Sequence, residues 1–133
     1  AWSWGITQSG TTHLGGGSGA GKASFQDISL TSYYESSTPK VMEHCATGAH
    51  IPEATLTVRK AGGKQLEYII YTIKDIIVTS VSTGGSGGED RLTVNFSLNF
   101  GAIETVYKPQ DEKGKVGADI PFHYDIAANK KMS

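Results

Sequence analysis

From Leu92 to Phe100 the chain alternates without a break: Leu92, Val94, Phe96, Leu98 and Phe100 are apolar, and Thr93, Asn95, Ser97 and Asn99 are small and polar. That period of two predicts a half-buried β-strand over 92–100, one face in a core and the other in water. A helix would scatter the same apolar side chains around its circumference. Ahead of the strand lies Ser82-Thr83-Gly84-Gly85-Ser86-Gly87-Gly88-Glu89-Asp90-Arg91, a glycine-rich connection suited to a hairpin.

Further strands follow from the same pattern. Trp2, Trp4 and Ile6 alternate with Ala1, Ser3, Gly5 and Thr7. A first strand is expected there, with the tryptophans and Ile6 in the core and Ser3 on a polar surface. Gly10 to Lys22 is a low-complexity loop. Ala23 to Tyr34 reads as a second strand in which Phe25 and Asp27 share one face and Ile28 and Leu30 the other. Keeping one apolar side along it requires a bulge. Ala54, Leu56 and Val58 alternate in a third, and Gly62-Gly63 marks a turn. Gln65 to Thr83 reads as a long strand with apolar side chains on both faces: Tyr68 and Ile70 one way, Ile69, Tyr71 and Ile73 the other. Both faces then need cover, one by the core and the other by the helix or another subunit. After a loop at Lys113–Gly117, Ile120, Phe122, Tyr124 and Ile126 alternate in a final strand.

One helix is expected, at about 39–47. Thr38 is placed to cap its N–H groups, and Pro39 at the first helical position forfeits no hydrogen bond. Val41, Met42, Cys45 and Ala46 fall on one face, and Gly48 supplies the left-handed stop. Six or seven strands with one helix predict a mainly β fold: an antiparallel β-barrel of two sheets with a short flanking α-helix and an extended glycine-rich loop. A chain of 133 residues fits a single domain over 1–133.

Composition narrows function by exclusion. Twelve basic against thirteen acidic residues leave a net charge of −1, which favours neither nucleic acid nor an anionic membrane as partner. No apolar run is long enough for a spanning helix. The opening Ala1-Trp2-Ser3-Trp4 is already in strand pattern and does not read as a signal peptide. Cys45 is the single cysteine and cannot close an internal disulfide, which suits a reducing compartment.

Three motifs invite chemical readings. Gly16-Gly17-Ser18-Gly19-Ala20-Gly21-Lys22-Ala23 approaches a phosphate-binding loop, but Ala23 stands where the magnesium-binding hydroxyl belongs and a strand-like segment follows. Gly84-Gly85-Ser86-Gly87-Gly88 matches the G-x-S-x-G of a nucleophile elbow, which must lie between a strand and a helix. Here a strand follows it. Cys45 and His50 supply two soft ligands without the two more that a closed zinc site needs. These readings favour loops and a small core cysteine; catalytic, cofactor and metal sites are not expected. Glu89, Asp90 and Arg91 form a charged cluster, either solvated or in polar contact with another subunit.

Several colinear segments resemble one family. They are Ala1-Trp2-Ser3-Trp4-Gly5, Gly15-Gly16-Gly17 with Gly19-Ala20-Gly21-Lys22, Ser37-Thr38-Pro39, Leu56-Thr57-Val58-Arg59-Lys60-Ala61-Gly62-Gly63, the run from Ser80 to Thr93, and Tyr107-Lys108-Pro109-Gln110. Together they resemble the haemolysin-coregulated protein (Hcp) family of type VI secretion tube proteins. The resemblance implies a non-enzymatic β-barrel that assembles as hexameric rings, stacks into a hollow tube and carries effectors in its lumen. Sheath, spike and effector proteins are the implied partners. It implies a cytoplasmic protein before firing that is secreted without a signal peptide. It also implies that the loop of His13, Leu14, Gly15, Gly16, Gly17 and Lys22 reaches neighbouring subunits. A stretch that family members carry ahead of the Trp-Ser-Trp motif is expected to be lacking.

The residues agree on several points. Two-sided apolar strands ask for an outside partner. The small polar faces Ser3/Gly5/Thr7 and Asn95/Ser97/Asn99 suit a water-filled channel, with Ser3 and Thr7 as lumen candidates. Two other classes stay open at this point: a monomeric β-barrel that binds a small ligand, and a hydrolase built on Ser86.

Overall fold

The computed structural model describes residues 3–10, 23–59, 67–88, 90–109, 118–126 and 130–131. The strands are β1 (Ser3–Gly5), β2 (Gln8–Gly10), β3 (Ala23–Phe25), β4 (Ile28–Tyr33), β5 (Ile51–Arg59), β6 (Glu67–Gly84), β7 (Thr93–Tyr107), β8 (Ile120–Asp125) and β9 (Lys130–Lys131); the helix α1 covers Thr38–Thr47. The fold is mainly β with one short helix. A seven-stranded sheet runs β1-β4-β7-β6-β5, with β8 on β7 and β9 on β8, and β2 and β3 form a separate two-stranded ribbon. The expected pair of sheets is thus one large sheet and one small ribbon. The hydrogen-bonded path ends at β1 and β5 among the described residues.

Contacts gather the described residues into two compact units, one made of those up to Ile51 with Ile76–Phe100, the other of Pro52–Asp75 and those from Gly101 onward. In the first, β4 pairs antiparallel with β7 from Ile28↔Leu98 to Tyr33↔Thr93. Its core holds Ile28, Ile76, Val78, Val94, Leu98 and Phe100. In the second, β8 pairs with β7 from Ala102↔Asp125 to Tyr107↔Ile120, and Ile73 and Ile103 are buried.

β6 and β7 each contribute residues to both units, and the pattern of burial changes phase along each. Val94, Leu98 and Phe100 bury even positions of β7, then Ile103 buries an odd one. On β6, Ile73 is buried before the change and Ile76 and Val78 after it. Strict alternation would turn Ile73 and Ile76 to opposite faces. The left-handed backbone at Asp75 (φ 55°) lies between them and takes one residue out of the alternation. Gly101 makes room for it: a Cβ at this position would lie 3.2 Å from Asp75 Oδ2 and 3.3 Å from its Cβ. β7 therefore runs past the expected end at Phe100 to Tyr107. The expected start at Leu92 lies outside it, with Leu92 49% exposed.

The segment 23–34 is two strands rather than one, and the bulge that the sequence calls for is at the join. Gly5 pairs with Ser29 while Gln8 pairs with Phe25, so Gln26, Asp27 and Ile28 stand opposite only Ile6 and Thr7. The Gln26 N–H donates to the Thr7 carbonyl at 3.0 Å. The extra residue turns Phe25 inward, where its ring meets Phe100 edge-on at 6.1 Å, and Ile28 is buried as well.

The first strand also breaks in two, ending at Gly5 and resuming at Gln8. Trp4 is not a core residue: it is 37% exposed, because it stands on the edge strand β1. Ile6 is half-buried between the two strands, and Trp2 lies outside the described residues.

The helix matches expectation in extent but not in capping. Ser37 is the N-cap residue and Pro39 sits in the first turn. Thr38 is helical and buried, and its Oγ1 accepts the Glu35 N–H at 3.0 Å. Gly48 ends the helix at φ 68°, its N–H donating to the His44 carbonyl. Thr38, Val41 and Cys45 make the inward stripe, while Met42 and Ala46 are exposed. Half-buried side chains on both faces of β6 from Tyr68 to Thr72 agree with the two-sided reading. Of the last strand's apolar set, Ile120 is 60% exposed and Phe122 and Tyr124 stack.

Candidate functional site

Cross-strand register turns the first unit's sheet into a two-faced wall. Ser3 pairs with Thr31, which pairs with Asn95; Gly5 pairs with Ser29, which pairs with Ser97. Directly paired residues share a face, so these are two parallel rows of small polar groups across β1, β4 and β7. The row between them, Trp4–Leu30–Phe96, points the other way. One side of the wall is thus hydroxyl and amide, and the other carries the apolar contacts.

Hydrogen bonds run within and beside the polar rows. Thr31 Oγ1 donates to Asn95 Oδ1 at 2.7 Å. Asp27 accepts from Thr79 Oγ1 at 2.6 Å and from Asn99 Nδ2 at 3.0 Å. Ser97 Oγ lies 2.7 Å from Thr79 Oγ1 and 2.5 Å from Ser80 Oγ. Ser3, Gly5, Ser29, Asn95 and Asn99 are exposed, and Thr31 and Ser97 half-buried. The rows themselves carry no charge, and the carboxylate beside them is held by neutral donors. Such a surface hydrates readily and offers an apolar or strongly charged chain little to grip.

Of the expected lumen residues, Ser3 takes its place in a row. Thr7 is exposed but lies at the bulge, outside both rows. Asn95, Ser97 and Asn99 occupy alternate positions of β7, bonded to Thr31, to Thr79 and Ser80, and to Asp27 respectively. The sequence reading missed Asp27, Ser29, Thr31, Thr79 and Ser80. Ser29 and Thr31 alternate with Ile28 and Leu30, so the pattern held that signal; nothing local joins Asp27 to Thr79.

The contact-loop residues His13, Leu14, Gly15, Gly16, Gly17 and Lys22 lie outside the described residues, as does Glu89. Asp90 is exposed. Arg91 places its guanidinium 3.8 Å above the Tyr33 ring, and the neighbouring Tyr34 N–H donates to the Leu92 carbonyl at 2.9 Å. Arg91 therefore makes a cation–π contact within its own chain, which ties the β6–β7 connection to the end of β4.

Gly84 to Gly88 join β6 to β7, two paired antiparallel strands, where a nucleophile elbow needs a strand and a helix. Gly88 takes φ 101°, and a Cβ on Gly85 would collide with Leu92 Cδ2. The cleft between Thr38, Val41 and Phe96 encloses about 70 Å³, well below the range of about 300–1,000 Å³ of small-molecule sites.

The family described as type VI secretion system effector, Hcp, matches residues 1–107. The chain belongs to the Hcp family. It is a type VI secretion tube protein by that membership, and its β architecture is the one its relatives share. Protein hcp1 of Pseudomonas aeruginosa strain PAO1 is 53% identical over 110 residues, 81% of this chain and 68% of that relative. The crystal structure of Hcp1 from Salmonella typhimurium superposes with a TM-score of 0.79 at 34% identity, covering 98% of this chain and 81% of that one. A structure described as a type six secretion system protein reaches a TM-score of 0.87 over 98% of this chain and 83% of its own, and at 23% identity it bears on fold alone.

Proposed function

We propose that this Hcp family member forms hexameric rings that stack into a hollow tube, with the rows Ser3–Thr31–Asn95 and Gly5–Ser29–Ser97 facing the lumen. The two-row polar face carries this reading. It is wide, neutral and built of small side chains, as the wall of a wet conduit requires, and the apolar row behind it is left for contacts within and between subunits. Effectors held in the lumen meet hydroxyl and amide groups. The tube acts as carrier and conduit, not as an enzyme.

The loop containing His13, Leu14, Gly15, Gly16, Gly17 and Lys22 contacts neighbouring subunits, and Glu89, Asp90 and Arg91 add polar contacts. The protein is cytoplasmic before firing, works with the sheath, spike and effectors of the same system, and leaves the cell with the tube. Family membership favours this reading over a monomeric ligand-binding module.

Replacing Ser3 with arginine tests the lumen assignment. Rings should form with an unchanged melting temperature while effector retention drops. A variant that fails to form rings would place Ser3 in a subunit contact instead.

A further inference from the structure

We infer that Asp27 is a positioning residue that fixes the β2–β3 ribbon against the main sheet and thereby sets how the chain presents itself to neighbouring subunits. The second half of this inference rests on the reading that residues between Gly10 and Ala23 make those contacts.

The ribbon is held together by its own pairs, Gln8↔Phe25, Ser9↔Ser24 and Gly10↔Ala23. It belongs to a different sheet from β4, although β3 and β4 are separated by only Gln26 and Asp27. A two-stranded ribbon alone is marginal in water, so its orientation has to be set by what it touches. Two anchors meet at the bulge. On one, the Phe25 ring packs edge-on against Phe100. On the other, the two carboxyl oxygens of Asp27 bond different strands of the main sheet: Oδ2 accepts from Thr79 on β6 and Oδ1 from Asn99 on β7.

A carboxylate engaged by two donors at right spacing restrains both translation and rotation of the segment that carries it, which a single bond does not. Apolar packing at Phe25 adds attraction without direction. Asp27 thus fixes the angle of the ribbon. The covalent connection from Gly10 to Ala23 leaves from the ribbon's far end, where any change of angle is amplified.

Amide hydrogen exchange on the full chain, with light scattering over a concentration series, tests this. In Asp27→Ala the amides of β2, β3 and Gln26 should exchange about tenfold or more faster, the factor that losing one charge-assisted hydrogen bond carries. Amides pairing β4 with β7 should keep their rates, and rings should need a higher concentration to form. Asn99→Ala removes one of the two bonds without touching Asp27, and Thr79→Val removes the other together with the Thr79–Ser97 bond; both should give smaller ribbon shifts in the same direction, which also covers the case of an unfolded Asp27→Ala. Unchanged ribbon exchange in all three variants overturns the inference. Equal acceleration of the β4–β7 amides overturns it too, since Asp27 would then support the whole sheet. A double replacement of His13 and Leu14 by aspartate separates the underlying reading: if rings form normally in that variant, the contact loop fails, while ribbon exchange still decides the role of Asp27.

Discussion

At Asp75 a non-glycine residue holds φ 55° in the middle of a long strand, a conformation that costs free energy for an L-residue. Gly101 is the counterpart that admits it. Gly101→Ala puts a methyl group 3.2–3.3 Å from Asp75, closer than ordinary contact. The change should cost about 1–3 kcal/mol as overpacking, read as a lower midpoint in urea. An unchanged midpoint would mean that Asp75 moves aside freely. The core sets a second residue-scale expectation. Ile76 is fully buried and Trp4 is 37% exposed. Ile76→Ala should therefore cost about 2–5 kcal/mol. Trp4→Ala should cost less than that in the monomer, and a Trp4 loss equal to the Ile76 loss would contradict the edge position. Tryptophan on a period-two pattern looks like core from composition, but a terminal edge strand has cover on one side only.

Among the elements, α1 shows how a capping signal can be read one residue out. Ser37-Thr38-Pro39 marks the start correctly, but the buried hydroxyl of Thr38 serves the Glu35 N–H ahead of the helix. Thr38→Val keeps the shape and leaves that N–H without its acceptor. Thermal denaturation should report a loss of about 1–2 kcal/mol, with Thr38→Ser recovering most of it. Full stability in Thr38→Val would show that water replaces the hydroxyl. The β6–β7 connection offers a parallel case. Its charge cluster suits solvent or a subunit contact, yet Arg91 lies over Tyr33. Arg91→Ala should cost about 0.5–1 kcal/mol in the isolated chain. Were Arg91→Lys to restore this in full, the stacking of the planar guanidinium would not be the source.

For the whole molecule the decisive quantity is assembled mass. Light scattering should find particles of six chain masses, and aspartates at His13 and Leu14 should shift them toward monomer while circular dichroism stays that of a β protein. A wild-type chain that remains monomeric at every concentration would remove the tube reading for this chain. The Leu92–Phe100 alternation, the helix with Gly48 behind it, the long two-sided strand and the need for a bulge somewhere in 23–34 were all legible in the sequence, because each depends on local period or on backbone freedom of neighbouring residues. Family membership was legible for the same reason: its motifs are contiguous. What only the tertiary structure decided are the relations that join distant residues. The phase changes at Asp75 and Gly101 each look like irregularities until the two residues face each other. Asp27 meets Thr79 and Asn99 across 52 and 72 positions of sequence. Trp4 is exposed because of which strand lies at the sheet edge. Pairing order is a property of the folded whole, set by burial summed over all strands, and no local pattern encodes it.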